Sequence, residues 1–165
     1  MKMNNLTSGL SQKQYAAIGK VACEWAYLEG VLRVLFNTIT KAGGDLTQKL
    51  TSDLRATELF DLLLTVSHKT GQSDQDQPPV YQHLRASKER FDELRRKRNE
   101  LVHGDWNYQG RGQVAAPHFT ARKQKLVGRL LKWSTAQMEA TAYDIKGFHD
   151  AIVTRREHAL AVDGE

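Results

Sequence analysis

Apolar residues recur at three- and four-residue steps over most of the chain, the spacing that gathers them on one face of a helix. Between Ser11 and about residue 42, Ile18, Ala22, Trp25, Leu28, Leu32, Leu35, Phe36 and Ile39 form one such stripe. Ser11 offers a capping hydroxyl at the start, and the pair Gly43-Gly44 predicts the end. A second helix is predicted over about 46–69, with Leu54, Leu59, Leu62, Leu63 and Val66 inward. The stretch GQSDQDQPP, 71–79, is polar and proline-terminated and reads as an exposed loop. A third helix runs from about Pro79 to His103 on a stripe of Leu84, Phe91, Leu94, Leu101 and Val102. The last, about 135–160, starts at a Ser134 cap and carries Met138, Ala142, Ile145, Phe148 and Ile152.

The helical period is lost in WNYQGRGQVAAPHFTARKQ, 106–124, where aromatic and polar residues surround Gly110-Arg111-Gly112. That stretch predicts a short hairpin or an ordered loop. The expectation is therefore one all-α domain spanning 1–165, a bundle of four principal long helices with a small hairpin or irregular insertion before the last. The ends, 1–10 and 161–165, are expected to fray.

Composition narrows the chemistry. The chain holds 165 residues, enough for one real core, and three Trp and five Phe to anchor it. A single cysteine, Cys23, rules out an internal disulfide and any cysteine-based zinc site. His68, His83, His118, His149 and His158 make no H-x-x-x-H or H-E-x-x-H spacing, and no phosphate-loop, dinucleotide or nucleophile-elbow motif occurs. No metal and no cofactor are expected. The polar start MKMNNLTSGLSQKQ lacks the apolar core of a secretory signal, and no apolar run approaches the roughly 18 residues of a membrane span. A cytoplasmic protein without membrane contact is the expectation.

The net charge of +5 favours anionic partners, but the distribution says more. Residues 85–98 carry seven cations (Arg85, Lys88, Arg90, Arg95, Arg96, Lys97, Arg98) against three acids (Glu89, Asp92, Glu93), and RKQKLVGRLLK, 122–132, adds a second basic stretch. Both read either as solvated helix faces or as a surface that follows phosphates.

Two charges fall on apolar stripes. With Leu84 set at 0° on the third helix, Arg98 lies at about 320°, inside the apolar arc, while Asn99 at about 60° and His103 at about 100° lie at its edge, beside Arg96 at about 120°. On the first helix, with Ile18 at 0°, Glu29 falls at about 20°. A lone buried charge costs several kcal/mol, so a structural Glu29–Arg98 ion pair is expected. An immobilised arginine with spare N–H donors is also a preorganised phosphate ligand.

The run RNELVH, Arg98 to His103, resembles the R-x4–6-H motif of the HEPN superfamily, and CEWAYLEGVL in the first helix is similar to first-helix patterns of HEPN-like proteins. The polar Asn99 after the arginine and the place of the motif near the end of a late helix fit that pattern. The resemblance implies a small all-α domain that cleaves single-stranded RNA without metal, with toxin and defence roles among those of the family. It further implies that His103 is the general base or acid, that Arg98 holds the phosphate and that Asn99 orients one or the other. Motif helices of a homodimer would form one cleft, lined by Arg95 and Arg96 as RNA contacts. The chemistry agrees. RNA carries its own 2′-OH nucleophile, histidine has a base of suitable strength, and an arginine fork can stabilise charge on the phosphate oxygens. Two other readings stand beside this one. One is a HEPN-like binding or scaffold domain whose motif residues are structural and which acts with a nucleotidyltransferase, an antitoxin or another partner. The other is a different helical adaptor that binds protein through its basic face.

Overall fold

The first helix is tied at its start by a reciprocal pair: Gln14 N–H donates to Ser11 Oγ, and Ser11 N–H donates to Gln14 Oε1. The computed structural model describes residues 9–73, 75–104, 106–110, 113–122 and 125–162, with side chains described outside 107–130 and 155–165. Of the ends expected to fray, 1–10 and 161–165, residues 1–8 and 163–165 lie outside the described residues, and α5 continues through 161–162. The order is α1 (Gln12–Thr40), α2 (Gly44–Thr51), α3 (Ala56–Ser67), α4 (Pro79–His103), β1 (Asn107–Gly110), β2 (Gln113–Arg122), β3 (Lys125–Ser134) and α5 (Thr135–Val162).

The all-α core is as expected, with two adjustments in the helices. The α1 helix ends before the glycine pair, at Lys41, which takes the left-handed conformation at φ 52° and closes on the Asn37 carbonyl. Gly43, at φ 80°, then caps the start of a separate helix, so the pair opens α2 and does not end α1. The predicted second helix is two helices. The chain leaves α2 after Thr51, whose hydroxyl turns back to the Thr47 carbonyl, and Ser52-Asp53 follow, residues whose side chains compete for backbone groups. It re-enters a helix at Ala56, where Glu58 reaches back to accept the Arg55 N–H. This break, 52–55, places Arg55 and the first turn of α3 beside α4's last turns.

The core runs through all the long helices. Ala17, Val21, Trp25, Leu28, Leu32, Leu35 and Phe36 of α1 meet Leu59, Phe60 and Leu63 of α3, Leu84, Phe91, Leu94 and Leu101 of α4, and Met138, Ile145 and Ile152 of α5. Its aromatic centre is Phe91, stacked at 4.3 Å on Phe60 and at 5.6 Å on Trp25. Each buried Leu, Ile or Phe contributes roughly 1.5–3 kcal/mol, so packing, not helix propensity, holds the long helices in place. The Ser134 cap is present, with Gln137 N–H donating to its Oγ at 3.2 Å. The 71–79 loop is exposed as expected at most described positions, but Gln77 is buried and clips both Lys69 backbone groups.

The insertion is larger than expected. A three-stranded antiparallel sheet, ordered β1-β2-β3, lies between α4 and α5, and the described part of the basic stretch, Arg122 and 125–132, is strand and not helix. Val127 and Trp133 are residue types enriched in strands, and the ten-residue ladder with β2 holds the segment extended. Pro117 sits in β2 beyond the last residue paired with β1, where no ladder donor is needed on that side.

Candidate functional site

The end of α4 is built tightly. Trp106 is buried, and its indole Nε1–H donates to the Leu101 carbonyl at 3.0 Å, one of the last carbonyls of the helix that have no helical partner. The chain must pass close to the helix to place that indole. A Cβ on Gly104 would stand 2.7 Å from the Glu100 carbonyl oxygen and 2.7 Å from Trp106 Cε2, so only glycine fits. The sequence His103-Gly104-x-Trp106 is thus a clasp that fixes the last residue of α4, and that residue is the exposed His103.

Arg98, Asn99 and His103 come together at this end. Arg98 Nη1 donates to Asn99 Oδ1 at 3.0 Å and lies 3.0 Å from His103 Nε2. A guanidinium has no acceptor, so as a hydrogen bond this contact has Arg98 donating and His103 Nε2 accepting, which requires the tautomer with its proton on Nδ1. Arg98 is half-buried, with its guanidinium carbon 6.0 Å from the centre of the Trp25 ring. Trp25 in turn rests on Phe91, so the arginine stands on a floor of stacked aromatic rings. The Arg98 Nε is buried without a partner, and Nη2 bonds to nothing among the described residues.

The expected Glu29–Arg98 ion pair does not form among the described residues. Glu29 Oε1 instead accepts the indole N–H of Trp25, one turn earlier, at 3.1 Å. The physical reason is exposure. Glu29 is half-buried at the edge of a cleft, so its charge keeps water and needs no buried counter-ion. Glu29 and Arg98 do face the same space.

That space is a cleft of about 690 Å³ between α1, the 52–55 break with the first turn of α3, and the end of α4. Trp25, Glu29 and Arg33 line it from α1, Arg55 and Glu58 from the start of α3, and Arg95, Arg98, Asn99 and His103 from α4. Four arginines face two glutamates there, and Glu58 is engaged with the Arg55 N–H as Glu29 is with Trp25. Arg95 Nε lies 3.5 Å from Asp92 Oδ1, an ion-pair distance without the alignment of a hydrogen bond. Arg96, the other expected RNA contact, is not part of the cleft. It is exposed on another side of α4, on a hollow shared with Arg85, Glu89 and Arg90.

Arg33 and Arg55 were not among the residues the sequence singles out. Arg33 carried a signal: on the α1 wheel it falls at about 60°, at the edge of the apolar stripe and two turns beyond Trp25. Arg55 carried none, because its position depends on the break between α2 and α3. Among the described residues no three His, Cys, Asp or Glu side chains converge as a metal site would require, and no helix is long and apolar enough to cross a membrane. Comparison with family models, curated proteins and solved structures returned no match.

Proposed function

We propose that the protein is a metal-independent endoribonuclease of the HEPN type, cutting single-stranded RNA to 2′,3′-cyclic phosphate ends. The observation that carries this reading is the Arg98–His103 contact at the rim of an arginine-lined cleft. It joins a neutral imidazole to a phosphate ligand in one pair. When a phosphate enters, Arg98 moves its Nη1–H from the imidazole to a non-bridging oxygen, and the Nε2 lone pair is freed. His103 Nε2 then takes the 2′-OH proton, the 2′ oxygen attacks phosphorus, and the bond to the 5′ oxygen breaks. Asn99 keeps the guanidinium oriented by accepting its other Nη1–H. The departing 5′ oxygen needs a proton, and among the described residues His103 is the one histidine lining the cleft of a single chain. A homodimer whose clefts meet would supply the second imidazole as the acid.

The competing reading is a binding or scaffold domain that works with a nucleotidyltransferase, an antitoxin or another partner. It has one observation in its favour: Arg98 already occupies the imidazole lone pair. End-group analysis separates the two. The cleavage reading expects 5′-hydroxyl and 2′,3′-cyclic phosphate termini, and loss of both with His103→Ala. Folded protein that binds RNA and leaves every strand intact would favour the scaffold.

A further inference from the structure

We propose that Arg33 and Arg55 form a second phosphate site in the same cleft, which engages a phosphate next to the one held by Arg98. The inference rests on the reading that the cleft takes RNA, and it adds the substrate class: a strand bound through at least two phosphates rather than a single nucleotide. Size is the first argument. At about 690 Å³ the cleft lies within the ~300–1,000 Å³ of pockets that enclose whole ligands, well beyond the needs of one phosphate.

Pairing is the second argument. Arg33 and Arg55 have no carboxylate within ion-pair reach among the described residues, although Glu29 and Glu58 line the same cleft. Arg33 is held by its stem: Nε donates to the Thr51 carbonyl at 3.5 Å, a long contact that leaves both terminal nitrogens unbonded among the described residues. Arg55 is placed by its backbone, whose N–H Glu58 accepts at 2.8 Å, and its side chain has no part in the cap. The Arg33 guanidinium is thus held by a contact that spends no charge, and Arg55 brings an exposed guanidinium, unpaired among the described residues, to the same cleft from a fixed backbone position. Together with Arg98, which lines the same cleft from α4, they give it arginines on all three of its walls. A mononucleotide would leave one of these sites empty. A strand fills both, and the second contact holds the reacting phosphate against Arg98.

The test uses the full chain and a fully 2′-O-methylated oligonucleotide, which has no free 2′-OH and cannot be cut, so binding is read apart from cleavage. Affinity is measured against salt concentration for the wild type, Arg33→Ala, Arg55→Ala and the double variant. Each single variant should weaken binding. The double variant should lower the slope of log K against log salt by about 0.7, the loss of one phosphate contact on a single strand, because both arginines serve one phosphate. Arg33→Lys and Arg55→Lys should restore the slope while recovering only part of the affinity, since lysine keeps the charge without the fork. Arg90→Ala, on the outer side of α4, should leave the slope unchanged. A slope unaltered in a double variant that melts like the wild type would overturn the proposal, as would a wild type that does not bind the oligonucleotide. Protein that binds it with the arginine-dependent slope but cuts no RNA would refute the ribonuclease reading and leave the second site standing. Protein that cuts RNA equally well without Arg33 and Arg55 would do the reverse.

Discussion

The cations on the two sides of α4 are treated differently. On the outer side Lys88 reaches Asp61 at 2.9 Å, Arg90 reaches Glu93 at 2.6 Å and Asp144 at 3.0 Å, and Lys97 reaches Glu93 at 2.8 Å. The bonds to Asp61 and Asp144 tie α4 to α3 and α5, and those to Glu93 stay within α4. On the cleft side Arg33, Arg55 and Arg98 meet no carboxylate within ion-pair reach among the described residues. Arg95 stands between the two cases, at 3.5 Å from Asp92. For Arg33 and Arg98 burial does not explain the difference, since both are half-buried and the side chains of Lys88 and Lys97 are about a third exposed; Arg55 is exposed. Lys88, Arg90 and Lys97 are neutralised by the fold itself, while Arg96, exposed on the same side, meets no carboxylate among the described residues. Arg33 and Arg98 are positioned by a carbonyl, an aromatic ring, a side-chain amide and an imidazole, and their charge is left for something else.

That contrast breaks most sharply at His103. Replacing it by alanine should reduce cleavage by about 10²–10⁴, the usual contribution of a positioned acid or base, while binding of an uncut strand changes little. Rates measured on the same RNA for Lys97→Ala should stay at the wild-type value, and an equal loss there would erase the distinction between the two sides. The next effect concerns the clasp that holds His103. Gly104→Ala must displace a backbone carbonyl and the Trp106 ring, and should cost about 1–3 kcal/mol in chemical denaturation, with slower cleavage as the imidazole shifts. A variant as stable as the wild type would mean that the helix end is looser than the structure has it.

Smaller effects belong to the outer side. Lys97→Ala should lower stability by less than about 1 kcal/mol, because its partners are near the surface and screened by salt. The pH response there has a definite sign. Hydrogen bonds from Lys97 and then Arg90 hold the Glu93 carboxyl at about 2, against an ordinary 4.5. A lowered carboxylate value gives stability that is present above 4.5 and is lost as pH falls from there toward 2. Thermal denaturation over that range should show a modest decline for the wild type and a flatter one for Glu93→Gln, and added salt should bring the two curves together.

Much of the helical frame was legible because its apolar residues keep the period: Leu84, Phe91, Leu94 and Leu101 are buried as the α4 stripe requires, and Ser11 and Ser134 cap as their side chains allow. What was hidden depends on the tertiary context. The α2–α3 break leaves the apolar stripe of 54–66 nearly continuous, so periodicity passes over it and with it the place of Arg55. The β3 strand was hidden by its cations, which read equally well on a helix. Within the site, the wheel put Arg98 inward and Asn99 and His103 together at the stripe edge, and it is the structure that joins all three; the wheel also set Arg96 beside His103, whereas the cleft takes Arg95 and not Arg96. The Glu29 pairing failed for a reason the wheel does not contain. Angle places a carboxylate on a stripe, but it does not say whether an indole N–H one turn away is already there to meet it.

The most direct test of the central claim, that Arg98 and His103 activate the 2′-OH of RNA without metal, uses two strands differing at one position. Chelator-treated protein is mixed with an all-RNA strand and with the same strand carrying a single 2′-deoxy nucleotide at the cut site. The account predicts cleavage of the first at that site and none of the second there, with equal binding of both. Cleavage at the deoxy position, or cleavage of either strand only after a divalent ion is restored, would contradict it.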